Sequence, residues 1–294
     1  MVGNRSFLTL NERCKFDLRS NLRKGKKGFM KRLWFYIKLY PYFVSHSVQA
    51  RMSYKGDFIL GVVASILMQA LGFVFLWTIF QGVPEVNGWN FDQMIFVYGM
   101  SAISLGLNEF LFAGTWKITG YVQEGELDRL LLRPVSTMFS ILAADVTLHG
   151  LGSALFGFAV CITSLVNLQI SLSVSMVLFW IVAIACGALI FFAANMLMAT
   201  LAFWVTNSQS AMMVLQNVSD FGKYPAAIYG KWLRILISFV IPFAFTSYYP
   251  AAFLLGISNR PIYWIGPVVA AMLCVTVAAL FWRFALSRYQ SAGG

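Results

Sequence analysis

The chain has 294 residues, of which 59% are hydrophobic and only 11% charged. A soluble domain carries about 25% charged residues, so this composition excludes a water-soluble globular protein and gives an integral membrane protein. The net charge of +11 lies entirely before residue 56, because residues 1–55 hold 13 Lys/Arg and 2 Asp/Glu while the rest of the chain holds 9 of each. Basic residues beside a hydrophobic span point to cytoplasmic retention and anionic headgroups, not to nucleic acid.

Residues 1–28 read as a basic, flexible tail. Residues 29–56 change character: Lys31, Arg32 and Lys38 interleave with Trp34, Phe35, Tyr36, Ile37 and Leu39. That mixture favours the headgroup zone, so the segment reads as an interfacial amphipathic helix that Pro41 kinks or breaks. An N-terminal extension of the first span is the alternative.

The pattern then predicts a six-span domain over 57–288. The expected spans are about 58–80, 93–116, 146–168, 172–205, 232–250 and 262–286. Asp57 is placed to cap the first. Between Asp145 and Asp220 no residue carries a formal charge apart from His149 when protonated. Residues 206–229 are more polar, and Ser210 to Val218 reads as a short surface helix capped by Ser208 or Ser210. Pro242 and Pro250 rule out one continuous helix over the fifth apolar block. With both termini cytoplasmic, Arg260 is the one basic residue in an outer loop, and this orientation follows the positive-inside rule.

The charged island is Gly120 to Val135, GYVQEGELDRLLLRPV. As a helix from Val122 to Leu132 it puts Leu127, Leu130 and Leu131 on one face, and Glu126 can reach Arg129. Pro134 ends it. The chain has no GxxxxGK[ST] run, no metal-ligand spacing and no GxSxG elbow. It is therefore read as neither an enzyme nor its own motor, with no cofactor or metal site. Glu109 is the one ionisable candidate within a span; Gln69, Asn108 and Asn195 join it as polar residues in spans. Each either lines a pathway or makes an interhelical hydrogen bond worth about 0.6 kcal/mol.

Four stretches together resemble the transmembrane subunits of ABC-2-type ABC exporters. They are SYKGDFILG at 53–61, EGELDRLLLRP at 124–134, SDFGKYPAAIY at 219–229 and IPFAFTSYYPAAFLLG at 241–256. The resemblance is to the bacterial branch with paired permeases and a separate ATPase subunit, and it covers about residues 45–288. It implies an all-α fold of six transmembrane helices with an N-terminal interfacial helix, a cytoplasmic coupling helix, and short outer re-entrant helices before the last span. The coupling residues would be Glu124, Gly125, Glu126, Leu127, Asp128, Arg129, Leu130, Leu131 and Arg133. Partners would be ABC ATPase subunits, which bind the ATP and Mg, membrane lipid, and a second permease, a related subunit in preference to a second copy. The implied role is export of an apolar or amphipathic compound across the bacterial inner membrane. A secondary transporter or channel working without an ATPase is the alternative.

Overall fold

The computed structural model describes residues 39–45, 48–49, 55–133, 135–171 and 173–289. The tail 1–28, the stretch 29–38 and Pro134 lie outside the described residues. The first long helix, α1 (Lys55–Gly82), has 28 residues, or about 42 Å at 1.5 Å per residue. That exceeds a hydrocarbon core of about 30 Å. Ile59, Leu60, Leu67, Met68, Leu71 and Phe75 are all exposed on it. Such a helix is stable only against lipid or another apolar surface.

A hairpin follows. β1 (Glu85–Val86) pairs antiparallel with β2 (Trp89–Asn90), Val86 opposite Trp89. Asn87 and Gly88 both have positive φ, 51° and 79°, as the favoured two-residue hairpin turn requires. Asn90 then caps α2 (Phe91–Phe112): its side chain accepts from the Gln93 backbone at 2.9 Å, and Gln93 Oε1 accepts from the Asn90 backbone at 3.2 Å. This reciprocal box satisfies amides that would otherwise be orphaned. α2 is the centre of the bundle, buried from Met94 to Gly106. Two short helices, α3 (Ile118–Gln123) and α4 (Glu126–Leu131), follow, then α5 (Thr137–Ala144). The hairpin defines one end of the bundle and α3–α4 the charged end.

α6 (His149–Asn167) returns along α2. Glycines decide how closely: a Cβ at Gly106 would lie 2.5 Å from the Gly150 carbonyl oxygen, and one at Gly157 would lie 2.6 Å from that of Gly99. No Cβ is tolerated at such distances, so the two backbones touch. This small-residue packing replaces the hydrophobic drive that lipid removes. α7 (Val174–Thr200), capped by Ser173, descends to the charged end, and the last long helix, Gly266–Ser287, packs along it.

The segment after α7 departs from expectation. α8 (Ser208–Ser219) is capped by Asn207, not by Ser208 or Ser210. It is no surface helix at one end. Ser208 meets Thr119 at 2.7 Å at the charged end. Leu215 joins the cluster of Leu105, Phe191 and Ile237 midway. Lys223 lies over the Tyr98 ring, and Asn87 of the hairpin donates to the Ala227 carbonyl at 3.3 Å. Residues 208–228 thus climb the whole length of α2. The 12 residues of α8 contribute about 18 Å at 1.5 Å each, and the four-residue 3-10 turn Asp220–Lys223 about 8 Å at 2.0 Å each.

The block expected to supply a fifth span over 232–250, interrupted by its prolines, is indeed not one continuous helix: it is bent by 69° between Lys231–Val240 and Phe243–Leu254. α9 (Lys231–Ile235) runs into a π turn, Leu236–Val240, which ends before Pro242. α10 (Tyr248–Leu254) then climbs back. Arg234 is fastened to the carbonyls of Ala226 and Ala227, and the Tyr248 ring lies tilted against Trp89 with centres 5.6 Å apart. Both arms therefore reach the hairpin end. The tip goes in as far as Phe243, against Phe191 and Gly222. The physical cause is proline: Pro242 removes a backbone donor where the chain turns. α11 (Pro261–Trp264) leads into the last long helix, α12 (Gly266–Ser287).

Candidate functional site

At the charged end the island forms two helices, not one. The predicted helix Val122–Leu132 is broken at Gly125, whose φ is 72° and ψ 5°. That left-handed conformation is the usual exit from a helix and favours glycine. A Cβ there would meet nothing within 4 Å, so conformation alone selects the residue. A glycine inside an amphipathic run was the available signal.

The break turns α4 so that Leu127 and Leu130 are buried in a cluster with Ile118, Val122, Met212 and Trp282. Leu131 is not on that face: it is 40% exposed, and Leu132 is 87% exposed. Glu124, Arg129 and Arg133 are also exposed, while Gly125, Glu126 and Asp128 are half-buried. Among the described residues no ion pair joins Glu126 to Arg129. The segment is held from both sides. Gln123 Nε2 donates to the Thr206 carbonyl, and Lys117 pairs with Asp145 at 3.0 Å. Tyr40, from the helical residues 39–45, donates to the Leu111 carbonyl and packs edge-on to Phe139. Burial pushes the Tyr40 phenol up to about 12, so it stays protonated and keeps donating.

Inside the bundle, the four polar residues read from sequence have different fates. Gln69 is an interhelical partner: the Tyr98 hydroxyl donates to its carbonyl at 2.7 Å and to its Oε1 at 2.8 Å. Asn108 is buried, with Oδ1 unpartnered. Asn195 lines a small cleft with Leu105, Gln216 and Phe243. Glu109 lies against α6: a Cβ at Gly150 would come within 2.9 Å of its own Cβ, and its carbonyl accepts from Thr147 at 2.7 Å.

Sequence reasoning missed Gln216, Asp220 and Lys223. The climb of 208–228 sets Gln216 and Lys223 partly into the bundle and leaves Asp220 with 55% of its side chain exposed. Lys223 Nζ pairs with Asp220 at 2.8 Å and stands 6.0 Å from the centre of the Tyr98 ring. The available signal was length: 30 residues separate Thr200 from Lys231, enough to run along a neighbouring helix from end to end. Polarity hid it.

A sequence model of the family described as ABC-2 family transporter protein matches residues 66–293. The chain belongs to the ABC-2 transporter family. No curated protein matches it. As an ABC-2 permease it is a multi-pass membrane component of an ABC transporter, the part that forms the transport route and not the catalytic part, and the family implies an ABC ATPase as partner. The matched stretch of the permease includes both the island at the charged end and the climbing segment.

Proposed function

We propose that this permease subunit exports an amphipathic compound, driven by a separate ATP-binding subunit that docks on α3–α4. ATP and Mg belong to that partner. In this reading the charged end faces the cytoplasm of a bacterial inner membrane and the hairpin end faces outward. The N-terminal basic excess, Lys117, Arg129, Arg133, Arg283 and Arg288 then lie inside, while Lys231, Arg234 and Arg260 lie outside. A related second permease completes the enclosure, and lipid covers the rest of the apolar surface.

One observation carries the docking role: Leu132, 87% exposed, stands beside Arg129 and Arg133 on a segment whose other face is locked into the bundle. An apolar side chain ringed by charge at the tip of an anchored element fits a docking contact. Leu127 and Leu130 would pass the motion inward through Met212 and Trp282. Glu124, Gly125, Glu126, Asp128 and Leu131 complete the coupling segment. Family membership does not favour the alternative of a transporter or channel without an ATPase.

The test is a pair of substitutions. Leu132→Glu is expected to leave membrane yield near wild type while cutting substrate-stimulated ATP hydrolysis of the purified complex about tenfold or more. Leu130→Glu buries a charge in the apolar cluster and is expected to lower yield itself. Full stimulation in Leu132→Glu would remove the docking role.

A further inference from the structure

The exposed side of α12 ends in a cation that no side chain of the bundle answers. Leu273, Val277, Leu280 and Phe284 recur at helical spacing, and each is half exposed or more, so they form an apolar stripe along one face. Arg288 continues that row one turn further on. Its guanidinium is turned back along the helix and lies 5.4 Å from the centre of the Phe284 ring. Beside it stands Trp204, the residue after the 3-10 turn Leu201–Phe203 that closes α7. Its ring stacks on Phe281 and Phe284 with centres 5.6 and 6.0 Å apart, and it is itself half exposed.

The position of this group along the helix limits what can meet it. α12 has 22 residues, about 33 Å at 1.5 Å per residue. Phe284, one turn from its end, therefore reaches the edge of a hydrocarbon core of about 30 Å. Aromatic rings favour that zone, but the charge there is unanswered. Among the described residues no carboxylate pairs with Arg288, and the Trp204 indole N–H has no acceptor. The last carbonyls of α12 are engaged already: Phe284 accepts from Ser287 Oγ, Ala285 from the Arg288 amide and Leu286 from the Tyr289 amide. They partly cover the negative end of the helix dipole. The face thus presents donors and one positive charge above an apolar stripe. A guanidinium beside an indole N–H suits the oxygens of a phosphate. An ethanolamine or choline headgroup would bring an ammonium for which this face holds no carboxylate. A soluble anion would leave the stripe uncovered.

We propose that Arg288 and Trp204 hold the phosphate of an anionic phospholipid in the leaflet at the charged end, with an acyl chain laid along Leu273, Val277 and Leu280. The site lies on the outer face of the permease and does not depend on what is exported.

The probes are dioleoylphosphatidylglycerol, dioleoylphosphatidylcholine and, for the headgroup without chains, glycerophosphoglycerol. Native mass spectrometry of the purified permease complex in detergent counts the bound lipid and identifies the subunits together. Phosphatidylglycerol is expected to half-saturate its first site at a concentration at least fivefold below phosphatidylcholine, and the chainless headgroup not to bind over the same range. Arg288→Gln is expected to abolish the preference, and Trp204→Leu to weaken phosphatidylglycerol binding severalfold. Arg283→Gln removes the same charge about 140° away around the helix, and is expected to change nothing. Equal binding of the two lipids overturns the proposal. So does an equal loss in Arg283→Gln, because the attraction is then diffuse, or binding of the chainless headgroup as tight as that of the lipid. Loss of a protein subunit from Arg288→Gln with its lipid count unchanged also overturns it, since the face is then a protein contact. Should Arg288→Gln fail to fold, the wild-type ranking and Trp204→Leu decide.

Discussion

Arg234 shows how much one side chain can organise. Its Nε donates to the Ala226 carbonyl at 2.9 Å, and one terminal nitrogen donates to those of Ala227 at 2.7 Å and Tyr229 at 3.2 Å. These carbonyls lie at and just after the end of the climbing segment, where Ala226 also accepts from the Tyr229 backbone at 3.4 Å and Ala227 from Asn87 at 3.3 Å. Hydrogen bonds to a charged donor contribute about 1.5–3 kcal/mol. Arg234→Ala is therefore expected to destabilise the permease by about 2 kcal/mol in an SDS-unfolding titration. Arg234→Lys should recover little, because an ammonium lacks the planar fork. An unchanged midpoint for Arg234→Ala would show that water replaces the guanidinium. Sequence could not show this residue's work, since Arg234 reads only as a basic residue at the start of an apolar block. Gly125 and Leu132 were closer to legible. The glycine interrupts a helical pattern, but which leucines turn inward depended on the break it makes.

At the scale of elements, α1, α2, α6, α7 and α12 are each long and apolar enough to cross a membrane. Hydropathy exposes such helices because each hides its own backbone from lipid. The climbing segment was hidden for the converse reason: Met212, Leu215 and Ser219 pack into the bundle, while Gln209, Ser210 and Asn217 on its open face keep its mean apolarity low. The bent block 231–254 was misplaced because composition scores apolarity, not direction, and only contacts show both arms at one end. The α2–α6 seam permits a direct test. Gly106→Leu and Gly157→Leu each drive a side chain into the facing backbone, and overpacking costs about 1–3 kcal/mol. Loss of folded protein on size-exclusion chromatography is expected for both. Gly82→Leu, where a Cβ meets nothing within 4 Å, should elute as wild type. Normal elution of Gly106→Leu would mean that the seam yields.

For the whole molecule, the decisive question is the side on which residues 230–231 lie. The expected orientation, with Arg260 as the one basic residue in an outer loop, places Lys231 inside. The contacts put Ala227 beside Asn87, at the far end from α3–α4. In a background lacking reactive cysteines, Lys231→Cys is expected to react with an impermeant maleimide added to intact cells. Arg129→Cys should react only after permeabilisation. Protection of Lys231→Cys in intact cells would return the segment to the inside and undo the sixth crossing.

The climbing segment has a consequence for biogenesis. Asp220 and Lys223 would each cost about 2.5–3.5 kcal/mol at the centre of an isolated inserting helix. The stretch after it, Lys231–Val240 and Phe243–Leu254, is apolar enough to pass as a bent span. A translocon reading the nascent chain by hydrophobicity would therefore admit the wrong stretch first. The observed arrangement is reached only once α2 and α7 stand ready to receive Gln216, Asp220 and Lys223. On this arrangement the topology of the C-terminal third is expected to be settled by tertiary folding after synthesis, and a lesion in α2 is expected to misroute segments more than a hundred residues downstream.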